Sequence, residues 1–139
     1  MKTNLWFNLT LITLAFLGSA LSCTTARVEH IGVARTSNGS VPIEGELATR
    51  MIMRLVNPIY PDWAKKQGIE AIVRFRLTVP PNGLLKADNL QVDQTSGYPE
   101  LDTVASDALL QWEFSPLPPE APQVDQSGII TFAFSLKNQ

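Results

Sequence analysis

The sequence predicts an α+β fold, with two helices packed on one face of a three-stranded antiparallel sheet. Val73, Phe75, Leu77 and Val79 alternate with Arg74, Arg76 and Thr78, the period of a half-buried strand. Leu101, Val104, Ala105, Ala108, Leu109 and Trp112 recur at the spacing of an amphipathic helix. Ile130, Phe132, Phe134 and Leu136 alternate with Thr131, Ala133 and Ser135 near the carboxyl end. Elements that each carry one apolar face must bury those faces against one another, which makes a two-layer domain.

Residues 1–22 read as an export signal. Lys2 is the sole charge before Arg27, Leu5 to Leu21 is mostly apolar, and Gly18, Ser19 and Ala20 are small. The run is short for a spanning helix, which needs about 20 apolar residues, and an uncleaved anchor is the alternative. Cys23 follows as the only cysteine of 139 residues, so no internal disulfide can form. Ala20-Leu21-Ser22-Cys23 resembles a bacterial lipobox, in which the cysteine is lipidated and becomes the first residue. Cleavage after Ala20 is the other possibility, and it leaves a free thiol in an oxidising compartment.

Loss of residues 1–22 removes Lys2 and no acid, so the formal charge moves from −2 to −3. So mild a charge, evenly spread, argues against nucleic acid as a partner, because phosphates need a basic field. Residues 23–46 read as a lipid-anchored tether, polar with single apolar residues and no sustained period. Asn38-Gly39-Ser40 in this stretch fits a glycosylation pattern, which carries no weight in a chain that reads as bacterial. The domain is placed at 47–139.

Leu47, Ala48, Met51, Ile52, Leu55 and Val56 recur at helical spacing, although the same span also reads as an extended lead-in. Asn57-Pro58 ends it in either case. Pro61 suits the start of a short helix, Asp62 its positive end, and Gly68 a left-handed stop. The first strand is predicted over Glu70–Val79. Arg74 and Arg76 project from its polar face, either as a solvated surface or as a patch that steers an acidic partner segment. Pro80-Pro81-Asn82-Gly83 is a turn in which Asn-Gly supplies positive φ angles.

The second strand is predicted over Leu84–Gln94. Leu85 and Ala87 share one parity and Leu90 and Val92 the other, so a bulge near Asp88-Asn89 is expected. Ser96-Gly97-Tyr98-Pro99 leads into the main helix, whose end Trp112 and Phe114 anchor on the sheet. Pro116, Pro118, Pro119 and Pro122 forbid its continuation. The last strand is predicted over Gly128–Leu136.

No constellation for catalysis is found, and neither an enzymatic activity nor a cofactor is expected. His30, the only histidine, sits in the tether without a motif, and no histidine–carboxylate cluster could hold a transition metal. There is no phosphate-binding glycine loop. Asp102 is the best-placed acid, with a role near the helix start rather than in proton transfer.

Asn57-Pro58-Ile59-Tyr60-Pro61, Ala64, Gly68, Asn82-Gly83, Ser96-Gly97, Leu101-Asp102 and Trp112-Glu113-Phe114-Ser115-Pro116, in this order and spacing, resemble the C-terminal domain of the TonB family of periplasmic energy transducers. The likeness runs from Asn57 to the end of the chain. It implies the same helices and strands, with the last strand at a sheet edge. It also implies that a short segment of an outer-membrane receptor, or of another envelope protein, is captured there as an added strand. The residues so implied are Asn57, Pro58, Tyr60 and Pro61, matching the family's Gln-Pro-x-Tyr-Pro element, and Thr131, Phe132, Ala133, Phe134 and Ser135. Asn57 stands where the family has glutamine, and Ala71 where glycine is more frequent.

Two functions follow from this resemblance. One is a periplasmic interaction module held to a membrane by a lipid on Cys23, at the outer membrane because Thr24 rather than aspartate comes next. The other is a complete transducer that couples the inner-membrane proton motive force to receptor-mediated uptake. That function needs an uncleaved helix with the family's Ser-x-x-x-His face, and Leu5 to Leu21 contains no histidine. An exposed edge strand also allows a homodimer.

Overall fold

The computed structural model describes residues 31–36 and 39–138. The export signal, Cys23 and His30 lie outside the described residues. Nine strands and helices are used below: β1 (Ile31–Thr36), β2 (Gly39–Gly45), β3 (Ile52–Arg54), α1 (Asp62–Lys66), β4 (Ala71–Val79), β5 (Leu90–Gln94), α2 (Pro99–Leu109), β6 (Glu113–Phe114) and β7 (Gln126–Phe134).

The two alternating segments become β4 and β7, antiparallel from Ala71↔Phe134 to Val79↔Gln126. Val73, Phe75, Leu77, Val79, Ile130, Phe132 and Phe134 all turn to one face and are buried. β7 begins two residues earlier than expected. Leu136, read as its last inward residue, is instead exposed in a 3-10 turn over Leu136–Asn138.

Ala64 of α1 and Leu101, Ala105 and Leu109 of α2 join the cluster formed by the inward residues of β4 and β7, which places both helices on that face. α1 follows Pro61, and the chain leaves it through Gly68 at φ +65°, as its sequence demands. Trp112 packs edge-on against Phe132 with ring centroids 5.8 Å apart, and its indole N–H donates to the Val56 carbonyl at 2.7 Å. The end of α2 is thereby anchored as expected.

The sheet has five strands rather than three, in the order β1-β2-β7-β4-β5. The extra pair comes from residues read as tether. β1 and β2 form a hairpin with register Ile31↔Glu44 to Thr36↔Gly39, and β2 pairs with β7 through Ile43↔Ile130, Glu44↔Ile129 and Gly45↔Gly128. The expected edge position of the last strand is thus corrected: β7 lies between β2 and β4. The physical reason is apolar burial, since Ala34, Val41 and Ile43 extend the core past β7.

β5 starts at Leu90 and not at Leu84. A 3-10 turn over Ala87–Asn89 resets the parity where a bulge was expected, and Leu84 makes an isolated bridge to Glu113. The bulge of this sheet lies further on, where Arg74↔Gln94 is followed by Phe75↔Val92 and Asp93 is left over. The Pro80–Gly83 turn closes with the Gly83 N–H donating to the Pro80 carbonyl at 2.9 Å. Among the described residues only glycines have positive φ, so Asn82 does not share Gly83's left-handed conformation. The glycine is required twice over: φ is +82°, and a Cβ there would stand 2.0 Å from the Phe114 carbonyl oxygen.

The lead-in over 47–56 is neither one helix nor one extended run. A 3-10 turn at Glu46–Thr49 precedes β3, which pairs with β6 in a separate two-stranded ladder. Arg50 joins the two and is 8% exposed. Its guanidinium donates to the carbonyls of Ser115 (2.8 Å), Pro80 (2.9 Å), Pro81 (2.9 Å) and Val79 (3.4 Å), and to Oε1 of Gln126 (3.4 Å). Burial lowers its pKa from the usual arginine value. All five acceptors are neutral oxygens, so a single charge ties β3 to the β4 turn, the β6 exit and the start of β7.

Candidate functional site

β7 has β4 along one side for its whole length, but β2 along the other only at Gly128, Ile129 and Ile130. Two residue choices set this limit. Gly128 admits the crossing chain, since a Cβ there would stand 2.6 Å from the Glu44 carbonyl oxygen and 2.9 Å from the Leu47 Cβ. One register step further Pro42 would face Thr131, and proline has no N–H to donate. From Thr131 to Phe134 the side of β7 away from β4 has no strand among the described residues.

The predicted residues on this stretch divide by parity. Phe132 and Phe134 are core residues: Phe132 packs edge-on to Phe75 at 6.4 Å, and Phe134 lies 5.5 Å from Tyr60. Only their main chain can reach a partner. Thr131 and Ala133 point the other way, half-buried and exposed respectively. Ser135 is tied down, its hydroxyl donating to Oε1 of Glu70 at 2.9 Å, and the Leu136 N–H donates to the same oxygen at 3.1 Å. These bonds, the Leu136 amide first, hold the Glu70 carboxyl below its usual range.

The Tyr60–Phe134 contact brings the two halves of the predicted site together. Tyr60 itself is buried. Its hydroxyl donates to the Ile69 carbonyl, and the Lys65 ammonium sits 5.8 Å from its ring centroid. Burial first, and then the Glu70 charge, push the Tyr60 pKa up. Asn57, Pro58 and Pro61 are half-buried, whereas Ile59, which the sequence did not single out, is 79% exposed. The exposed side chain of this element is therefore Ile59 rather than Tyr60.

Arg74 and Arg76 do share the outer face of the sheet, but acids partner them. Arg74 lies 3.4 Å from Glu44 of β2 and 3.8 Å from Asp93, and Arg76 lies 2.8 Å from Asp93. The Arg76 hydrogen bond, with both guanidinium charges, outweighs burial and lowers the Asp93 pKa. Neither acid was foreseen, because Glu44 lay in the presumed tether and Asp93 reaches both arginines only through the bulge. Asp102 accepts from the Ser96 amide at 2.8 Å and from the Thr95 hydroxyl. Burial alone would raise its pKa, but the Ser96 and Thr95 hydrogen bonds prevail and lower it. That role is to hold the loop before α2. Cys23, the predicted lipidation site, lies outside the described residues.

Among the described residues no group of three or more His, Cys, Asp or Glu could hold a metal ion. No helix among them is long and apolar enough to cross a membrane. The arrangement offers a main-chain ladder beside a small charged surface, which is the chemistry of peptide docking.

The model of the family described as the Gram-negative bacterial TonB protein C-terminal matches residues 56–136. The solution structure of the Pseudomonas aeruginosa TonB C-terminal domain shares this fold, with a TM-score of 0.54 at 23% identity over 79% of this chain and 98% of that one. No curated protein matches the chain. The family match spans more than half of the sequence and contains β4, α2 and β7, so this chain belongs to the TonB C-terminal family.

Proposed function

We propose that this chain is a periplasmic protein-binding domain of outer-membrane receptor transport, which captures a short extended segment of its partner as a strand along Thr131–Phe134 of β7. The observation that carries this is the half-covered strand, paired with β4 throughout and with β2 only over Gly128–Ile130. Strand addition draws affinity from main-chain hydrogen bonds, so it needs no special side chains on Phe132 and Phe134, which are committed to the core. Ile59, Pro58 and Pro61 form a neighbouring surface for further contacts, next to β7 through Tyr60. Binding rather than catalysis is the activity, with no cofactor and no nucleic acid. Cys23 carries a lipid that holds the protein to a membrane.

The test is photo-crosslinking in cells, with a benzophenone amino acid at Ala133 or, as a control, at the exposed Val124. Crosslinks from Ala133 are expected on the periplasmic segment of an outer-membrane receptor, mapped by mass spectrometry. Equal yields from Ala133 and Val124, or no receptor among the Ala133 products, would remove strand capture from this edge.

A further inference from the structure

We infer that β2 is an internal competitor for the captured strand, and that the partner segment which displaces it carries an apolar residue beside a carboxylate. This rests on strand capture along β7.

Space is the first reason. The uncovered stretch Thr131–Phe134 is four residues long, whereas strands usually run to about five or six. A partner strand of ordinary length therefore meets β2 at Ile130. The second reason is the narrow hold of β2, which meets β7 at three register positions where β4 meets it at nine. Of the two strands flanking β7, β2 is the one built to leave.

The third reason is what β2 puts in the place it occupies. Ile43 turns inward opposite Ile130 and is 3% exposed, and Glu44 turns outward with a carboxylate oxygen 3.4 Å from the Arg74 guanidinium. If β2 leaves without replacement, the core loses the Ile43 side chain and Arg74 keeps only Asp93, at 3.8 Å. An incoming segment with an apolar residue next to an aspartate or glutamate restores both contacts. β2 is thus an imprint of the segment it excludes, and Arg74 is where an acidic partner would be recognised.

The experiment uses the full chain in a Cys23→Ser background with Glu44→Cys and Ile129→Cys, a pair of facing positions. Antiparallel neighbours stand about 4.5–5.5 Å apart at Cα, within disulfide range. The probe is the fluorescent peptide acetyl-Thr-Val-Ile-Glu-Val-Thr-amide, together with a twin that has lysine in place of glutamate, read by anisotropy. The reduced protein is expected to bind the glutamate peptide, the oxidised protein at least about tenfold more weakly, and dithiothreitol to restore binding. In the otherwise unaltered chain, Glu44→Ala tightens binding, and the lysine peptide binds more weakly than the glutamate peptide. Equal affinity of the oxidised and reduced proteins overturns displacement of β2 while leaving capture by β7 standing. Equal affinity for the two peptides overturns the acidic partner. If no variant binds either peptide, capture by β7 fails, and the internal competitor fails with it.

Discussion

The ring of Tyr60 lies 5.5 Å from that of Phe134, and this contact makes two distant stretches of chain into one neighbourhood. Tyr60 is a core residue with a polar handle turned inward to the Ile69 carbonyl. Tyr60→Phe keeps the ring and removes one buried donor, so it should cost about 1 kcal/mol in a urea titration. Partner affinity should not change. A Tyr60→Phe protein of unaltered stability that loses affinity would place the hydroxyl on the partner instead.

Gly128 is where β2 closes on β7. Gly128→Ala drives a Cβ against the Glu44 carbonyl oxygen at 2.6 Å and against Leu47, and backbone must move to admit it. Overpacking of this kind costs about 1–3 kcal/mol. Faster amide exchange should be confined to β2 and the start of β7, and an exchange map unchanged from the parent would contradict this.

Arg50 ties together the carbonyls of Pro80, Pro81 and Ser115. Arg50→Ala removes the side-chain donor to the Ser115 carbonyl and the second donor to those of Pro80 and Pro81, which keep the Gly83 and Leu117 amides, a loss of about 1.5–3 kcal/mol. Arg50→Lys should recover only part of it, since a point ammonium cannot span acceptors that the planar fork reaches together. Denaturant midpoints of the three proteins should rank Arg, then Lys, then Ala; equal midpoints for Lys and Arg would mean the fork is not needed.

Stability should fall on the acid side. Glu70, Asp93 and Asp102 all have folded-state pKa values lowered from their ordinary ones. A depressed carboxylate contributes stability above its unfolded pKa, and the contribution is lost as pH falls through the folded value. The melting temperature should therefore drop as pH goes below about 4. Asp102→Asn should flatten this limb while lowering the plateau. Tyr60 has the opposite sign: its raised pKa contributes stability below the ordinary tyrosine value that is lost as pH climbs above it. An acid limb as steep in Asp102→Asn as in the parent would remove this carboxylate from the account.

Lipidation of Cys23 is checked by labelling cells with a tagged fatty acid. Label should appear on the protein, vanish in Cys23→Ala, and accompany a mature mass that begins at residue 23. An intact amino terminus spanning the inner membrane would instead favour the complete transducer.

β4 and α2 were legible because their burial repeats with a regular period, every second residue in one and every third or fourth in the other. β7 was legible in its pattern but not in its ends, since Leu136 continues the alternation after the strand has stopped. The hairpin was not seen. Gly32 and Pro42 interrupt its apolar residues, and Ile43 is buried opposite Ile130, on a strand some 90 residues away. One signal was available, because Asn38-Gly39 is a strong hairpin dipeptide. Arg50 could not be found this way: four of its five acceptors are main-chain carbonyls, and these leave no trace in side-chain patterns. Of the predicted site residues, Thr131 to Phe134 fall on β7, and the partial cover of that strand by β2 was not foreseen.

The pairing Ile31↔Glu44 puts the first residue of β1 and the last residues of β2 at the same end of the hairpin. A pull on the chain upstream of Ile31, resisted by the domain beyond Gly45, therefore loads the β1–β2 ladder in unzipping geometry. Its rungs would bear the load one at a time, followed by the three β2–β7 pairs, and the β4–β7 ladder would bear it last. The fourteen residues from Ile31 to Glu44 would then pay out as slack of roughly 45 Å, at about 3.3 Å each. Tension reaching the domain from its amino-terminal side would therefore bare the β7 edge, at the expense of the Ala34, Val41 and Ile43 part of the core, before it loads the β4–β7 ladder.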